Sequence, residues 1–130
     1  FEFHLKHPPK KVWKALTDPE LLAEWLLPAI GFRLENGAPF TFQTQAYPGW
    51  DGTVSCRMLA IEPLKKLSYT WTVPMMDTVV TFELAERDGG TLLTLVQAGF
   101  KAEQKQNFGG ARYGWTMMGE KLIAVLDRLA

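Results

Sequence analysis

One cysteine, Cys56, and two histidines are all this 130-residue chain has of the residue types that build disulfides, thiolate metal centres and imidazole chemistry. A single thiol forms no intrachain disulfide and cannot ligate a metal alone. Charge of one sign is missing as well, since 14 Lys and Arg stand against 14 Asp and Glu. That balance supplies no general field for phosphate backbones or anionic lipid, so nucleic acid is not expected as a partner. Long hydrophobic runs are also lacking. Trp25-Leu26-Leu27-Pro28-Ala29-Ile30 falls far below the roughly 20 residues that span a bilayer, so no transmembrane segment is expected. With a lone thiol and no signal-peptide pattern in the first residues, the expected setting is cytoplasmic.

Catalytic motifs are equally scarce. There is no Gly-x-Ser-x-Gly, no phosphate loop, no zinc spacing and no Cys with a local His. His4 and His7, three apart on a strand, point to opposite faces and make no dyad. Asp77 and Glu83 serve as bases only if burial raises their pKa. No catalytic residue, cofactor or metal is therefore expected. The cluster Lys6, Lys10, Lys11 and Lys14 reads first as a solvated face, and second as a contact for a partner or lipid headgroup.

What is present is a foldable composition, 47% hydrophobic and 22% charged, in a length suited to one domain over residues 1–130. Phe1 to His7 alternates as a half-buried strand. Pro8-Pro9 stops it and opens a short helix on Val12, Trp13 and Leu16. Asp18 caps a second helix with Pro19 at its first position, and Pro28 ends it. Six strand-like stretches follow: 32–35, 40–46, 53–61, 67–73, 78–86 and 91–99, each set off by turn residues. Asp88-Gly89-Gly90 has tight-hairpin chemistry, and the other connections are too short for parallel crossovers. Last comes Gly109-Gly110-Ala111-Arg112-Tyr113-Gly114, leading into a long amphipathic helix with its stripe on Trp115, Met118, Leu122, Val125 and Leu129. The order is β-α-α-β6-α, an α+β fold in which the long helix has only the sheet to cover it.

Several of these segments carry a family likeness. Residues 8–25 (PPKKVWKALTDPELLAEW), Ile61-Glu62-Pro63 with Lys66-Leu67-Ser68-Tyr69-Thr70-Trp71, Gly89-Gly90-Thr91-Leu92-Leu93-Thr94-Leu95, and Gly114-Trp115 occur in matching order and spacing over nearly the whole length. In these the chain resembles the activator-of-Hsp90-ATPase-like (AHSA1-like) branch of the START/SRPBCC superfamily. The resemblance implies a helix-grip fold, a curved antiparallel sheet wrapped around the C-terminal helix, often with a hydrophobic ligand cavity between them. Many relatives have a His at the end of the last strand. This chain has Gln97, and no acid/base role carries over to that position.

On that fold the concave face is expected to present Leu67, Tyr69 and Trp71, then Val80, Phe82 and Leu84, then Leu93, Leu95 and Gln97. Trp115, Met118 and Leu122 oppose them. These residues make either a plain core or a core with a ligand-sized void. The candidate ligand contacts are Trp25, Tyr69, Trp71, Phe82, Trp115, Met118 and Leu122, apolar or amphipathic walls. Arg57, Gln97 and Arg112 are the candidate polar contacts, with Asp77, Asn107 and Tyr113 as further polar residues able to enter. The 109–110 segment and the 47–52 loop are candidate gates. The leading expectation is non-catalytic binding of a small hydrophobic or amphipathic ligand. The alternatives are an Hsp90 co-chaperone-like interaction module and a polyketide cyclase/aromatase-like enzyme.

Overall fold

A computed structural model describes residues 1–46, 48–74, 76–99 and 105–129, with side chains described outside 105–113. Its elements run β1 (Glu2–Leu5), α1 (Pro9–Thr17), α2 (Pro19–Trp25), β2 (Ala29–Ile30), β3 (Pro39–Gln43), β4 (Thr53–Glu62), β5 (Lys66–Val73), β6 (Met76–Arg87), β7 (Gly90–Ala98) and α3 (Lys105–Arg128). The expected α+β order is observed. The strands form one antiparallel sheet in the order β1-β7-β6-β5-β4-β3-β2, curled around α3. Neighbours in sequence are neighbours in space except β1, which returns to pair with β7.

Local chemistry sets the joints. Pro9 opens α1, where a missing N–H costs nothing. Asp18 Oδ1 accepts from the Glu20 N–H at 3.0 Å and caps α2. Asp88 (φ 51°) and Gly89 (φ 80°) both adopt the left-handed conformation, as a two-residue hairpin turn between paired Arg87 and Gly90 requires.

Alternation then sorts the sheet into two faces. Phe40, Phe42, Val54, Cys56, Met58, Leu67, Tyr69, Val80, Phe82, Leu93 and Leu95 are all buried on the concave side. Ser55, Arg57, Leu59, Asp77 and Glu83 point the other way and are exposed. The α1 and α2 helices add Val12, Leu16, Leu22 and Trp25 to the same core, and α3 packs against both helices.

Two expectations about elements are corrected. The stretch 32–35 is not a strand: Phe32 turns its ring onto Phe40, with centroids 5.0 Å apart, while Leu34 stays exposed. The sheet edge there is instead Ala29–Ile30, paired with Phe42 and Thr41 and extended by the Gln43 N–H donating to the Pro28 carbonyl at 3.0 Å. Secondly, Gly109 and Gly110 lie inside α3, which begins at Lys105, despite their low helix propensity. The stripe of α3 also differs from expectation. Trp115, Leu122 and Val125 are buried and Met118 and Leu129 partly so, but Leu126 is completely buried and Gly119 faces inward. A Cβ on Gly119 would strike the ring of Phe3, so glycine there lets the helix approach β1.

Candidate functional site

Where the end of β5, the start of β6 and the end of β7 meet the α3 segment around Trp115, the concave face stops being uniformly buried. Trp71, Val73, Gln97 and Met118 are half-buried, whereas Tyr69 and Phe82, further along the same face, are 1% exposed. The aromatic rings are continuous across this change. Trp71 stands 5.5 Å from Trp115 and 5.5 Å from Phe42. Phe82 meets Trp115 edge-on at 6.1 Å and Trp25 edge-on at 6.3 Å. Tilted and edge-to-face pairs of this kind are favoured by the ring quadrupoles.

A hydrogen-bond chain threads the same end. Trp115 Nε1 donates to Gln97 Oε1 at 2.7 Å, Gln97 Nε2 donates to Thr78 Oγ1 at 2.8 Å, and Thr78 Oγ1 donates to the Trp71 carbonyl at 2.8 Å. Gln97 thus ties helix to sheet using both ends of a neutral amide, which explains why this position holds no acid or base. Thr78 was not foreseen, although it shares the parity of Val80 and Phe82 on β6 and so faces inward.

The expected site residues divide accordingly. Tyr69, Trp71, Phe82, Gln97, Trp115, Met118 and Leu122 all face the space between α3 and the sheet, with Leu122 deep in the sealed part. Trp25 belongs to the core wall, its indole N–H engaged by the Ala15 carbonyl at 2.8 Å. The structure does not bring Arg57 to the others. It alternates with buried Cys56 and Met58, so it projects from the convex face, where its guanidinium donates to the Gly37 carbonyl at 2.7 Å. There it borders an open groove of about 460 Å³ with Thr41, Ser55, Thr70 and Thr72. Asp77 is exposed on that outer side too. The side chains of Asn107, Arg112 and Tyr113 lie outside the described residues, as does Tyr47 of the expected loop gate. The described end of that loop is fastened: Gln43 Nε2 donates to the Thr44 and Asp51 carbonyls at 3.1 and 2.9 Å, and a Cβ on Gly52 would strike the Thr44 carbonyl.

Electrostatics inside the cradle are quiet. Besides the aromatic polar groups, the buried polar residues among those described are Thr78 and Thr91, which share the concave parity, and Ser68, which faces outward and bonds Thr81 at 3.0 Å; none is charged. Burial pushes the Cys56 thiol up to about 12, so it is a small apolar filler rather than a nucleophile at neutral pH. Burial, and secondarily the charge of Cys56, also push the Tyr69 phenol well above its ordinary range. No group of three His, Cys, Asp or Glu side chains capable of holding a metal occurs among the described residues.

Comparison with known proteins agrees with this architecture. The family described as Activator of Hsp90 ATPase homolog 1-like protein matches residues 6–127. The chain belongs to that family. The AHSA1-like domain is similar to protein MLL2253 of Mesorhizobium loti, at 39% identity and TM-score 0.92 over 100% of this chain and 96% of that one. BH1534 of Bacillus halodurans is 28% identical at TM-score 0.81, covering 97% and 94% of the two chains. CV1439 of Chromobacterium violaceum, 23% identical with TM-score 0.82 over 99% and 96%, shares the fold. Among curated proteins none matches the AHSA1-like domain. None of its described helices is long and apolar enough to cross a membrane.

Proposed function

We propose that this AHSA1-like domain holds a small hydrophobic or amphipathic ligand between α3 and the concave face of the sheet, and does no chemistry on it. The observation that carries the reading is the Trp71–Trp115 pair. It joins sheet to helix at 5.5 Å at the one end of the cradle where Trp71, Val73, Gln97 and Met118 keep partial access to solvent. Pockets for small molecules are apolar and aromatic with few fixed polar groups, and this end has that composition. Met118, a partly buried thioether one helical turn from Trp115, also adapts its shape to an occupant. The inner wall holds no buried acid or base among the described residues to activate a substrate, which favours holding over turnover.

The test is titration with N-phenyl-1-naphthylamine, a neutral dye that brightens in apolar surroundings, read by its own emission and by energy transfer from tryptophan. Binding is expected to fall at least about tenfold in Trp71→Ala and in Met118→Ala, each loss corresponding to the burial of a large apolar group. Arg57→Ala, on the convex face, is expected to leave it unchanged. Folded variants that bind like the parent protein overturn the reading. The family's description names the Hsp90 ATPase. A domain that stimulates that ATPase equally with and without Trp71 would assign its work to an outer surface instead.

A further inference from the structure

Three chemically distinct groups meet where the β1–α1 turn touches the last turns of α3. His7 stands between the other two, its Nε2 2.8 Å from Asp127 Oδ1 and its Nδ1 3.0 Å from Lys11 Nζ. The partners settle the tautomer. An ammonium has only hydrogens to give, so Nδ1 accepts from Lys11, and Nε2 carries the ring proton and donates it to the carboxylate. A nucleophile, a base and a group that orients the base thus lie within hydrogen-bond reach, in the order amine, imidazole, carboxylate.

The base is held on its backbone side as well. The hydroxyl of buried Thr91 donates to the His7 carbonyl at 2.7 Å, and Pro8 and Pro9 fix φ at the next two positions. The His7 side chain is 16% exposed and that of Asp127 66%, while Lys11 is half-buried. A small reagent therefore meets a sheltered base and an amine that is not enclosed.

The surroundings favour one kind of reagent. Lys10, Lys11 and Lys14 lie on one side of α1, Lys14 being four and three positions from the other two, and the first turn of that helix contains no acidic residue. Like charges and the positive end of the helix dipole both disfavour a cation there, and converting an amine to an amide removes one. The same charges attract a reagent whose leaving group is an anion.

We propose that Lys11 is a modification site, acylated by small acyl phosphates with His7 as the base and Asp127 as the residue that positions it. The neutral amine of Lys11 attacks the acyl carbon and the N–C bond forms. His7 Nδ1 takes the proton that the nitrogen sheds, the C–O bond to phosphate breaks, and its electron pair leaves with the phosphate. The imidazolium is held against the Asp127 carboxylate until it gives the proton to water. One acyl group is transferred per chain, and the lysine cluster loses one positive charge. The site is about three turns along α3 from Trp115 and does not depend on the ligand-holding reading.

The test is incubation of the intact protein with acetyl phosphate, with acetylation at each lysine followed by mass spectrometry of its peptides. Assistance by a positioned base is expected to make Lys11 react at least about tenfold faster than Lys10 or Lys14. In His7→Gln that advantage should vanish, with the rates at Lys10 and Lys14 unchanged. Asp127→Asn, a change at an exposed side chain, keeps an acceptor but no charge and should slow Lys11 severalfold, while Asp127→Glu restores it. Phenyl acetate, an uncharged acyl donor, should keep the preference for Lys11, and added salt should slow acetyl phosphate more than it slows phenyl acetate. Equal rates at the three lysines of the parent, or an undiminished Lys11 rate in His7→Gln, overturn the site. An undiminished rate in Asp127→Asn overturns the positioning role. Equal response of the two reagents to salt overturns the assignment to acyl phosphates.

Discussion

The two halves of α3 are held by different means. From Leu122 onward the helix is sealed: Leu122 and Leu126 are 1% and 0% exposed, and Val125 is buried beside them. Polar clasps reinforce that half. His7 Nε2 pairs with Asp127 at 2.8 Å while Lys11 Nζ donates to His7 Nδ1 at 3.0 Å, so α3 is tied to the β1–α1 turn. Arg128 reaches Glu24 of α2 at 2.7 Å. Around Trp115 the fastenings among the described residues include aromatic contact and the Gln97 amide, and Met118 and Gln97 are half-buried. Branched aliphatic packing leaves no room for an occupant, because interiors are dense and tolerate few voids. Indole, thioether and amide groups hold the helix while allowing the wall to change shape. One helix thus serves as anchor at one end and as adjustable wall at the other.

The largest effect that sharpens this contrast is expected from Leu126→Ala. Removing a completely buried leucine at the sealed end should cost about 2–5 kcal/mol of stability, read as a lower denaturant midpoint at constant m. The dye affinity of the folded fraction should not change. If stability falls by less than 1 kcal/mol, as at an exposed position, the sealed end is not where α3 is anchored.

Next comes Gln97→Ala, which strips the acceptor from the Trp115 indole N–H and one incoming donor from Thr78 Oγ1, whose own donation to the Trp71 carbonyl remains. Buried donors left unpaired cost about 1–3 kcal/mol each when water cannot reach them. Removal of the half-buried Gln97 side chain opens this end to water, so a loss near the lower bound is expected, with tryptophan emission shifted to the red. A loss near the upper bound with unshifted emission would mean that this end is as dry as the other, and the contrast would fail.

Much of this arrangement is legible in residue order. Strict alternation in Leu67-Ser68-Tyr69-Thr70-Trp71 and Val80-Thr81-Phe82-Glu83-Leu84 fixes the concave face because strand side chains reverse at every step. Asp18-Pro19 and Asp88-Gly89 mark joints through capping and left-handed turn chemistry. The same alternation places Arg57 outside, since Val54, Cys56 and Met58 share the opposite parity; its charge suggested a ligand contact, but its position is on the outer face, away from the other candidates. Other features leave no local signal. Two residues, Ala29 and Ile30, are too few to show a period, and their pairing is decided by the edge of β3. Gly109 and Gly110 read as helix breakers because propensity is local, while the rest of α3 carries them into the helix. The linking of Thr78, Gln97 and Trp115 emerges only when three strands and a helix converge, an outcome of long-range packing.

The smallest expected effect lies at the outermost clasp. The Arg128 guanidinium, by its hydrogen bond and then by its charge, holds the Glu24 carboxyl below the ordinary carboxylate range. A depressed folded-state value means that the clasp's contribution is present above the unfolded carboxylate pKa and is lost as pH falls through the folded one. Both side chains are largely solvated, 59% and 40% exposed, so salt screens the pair and its share of stability is slight. Arg128→Ala should therefore return the Glu24 midpoint upward to the ordinary range in a side-chain carboxyl NMR titration, with almost no change in unfolding midpoint at neutral pH. An unmoved Glu24 midpoint would show that the clasp does not form in solution. A large fall in stability would show that the sealed end depends on charge, whereas complete burial of Leu122 and Leu126 predicts that it depends on apolar packing, to which the ion pair adds only the direction in which the last turn of α3 leaves the core.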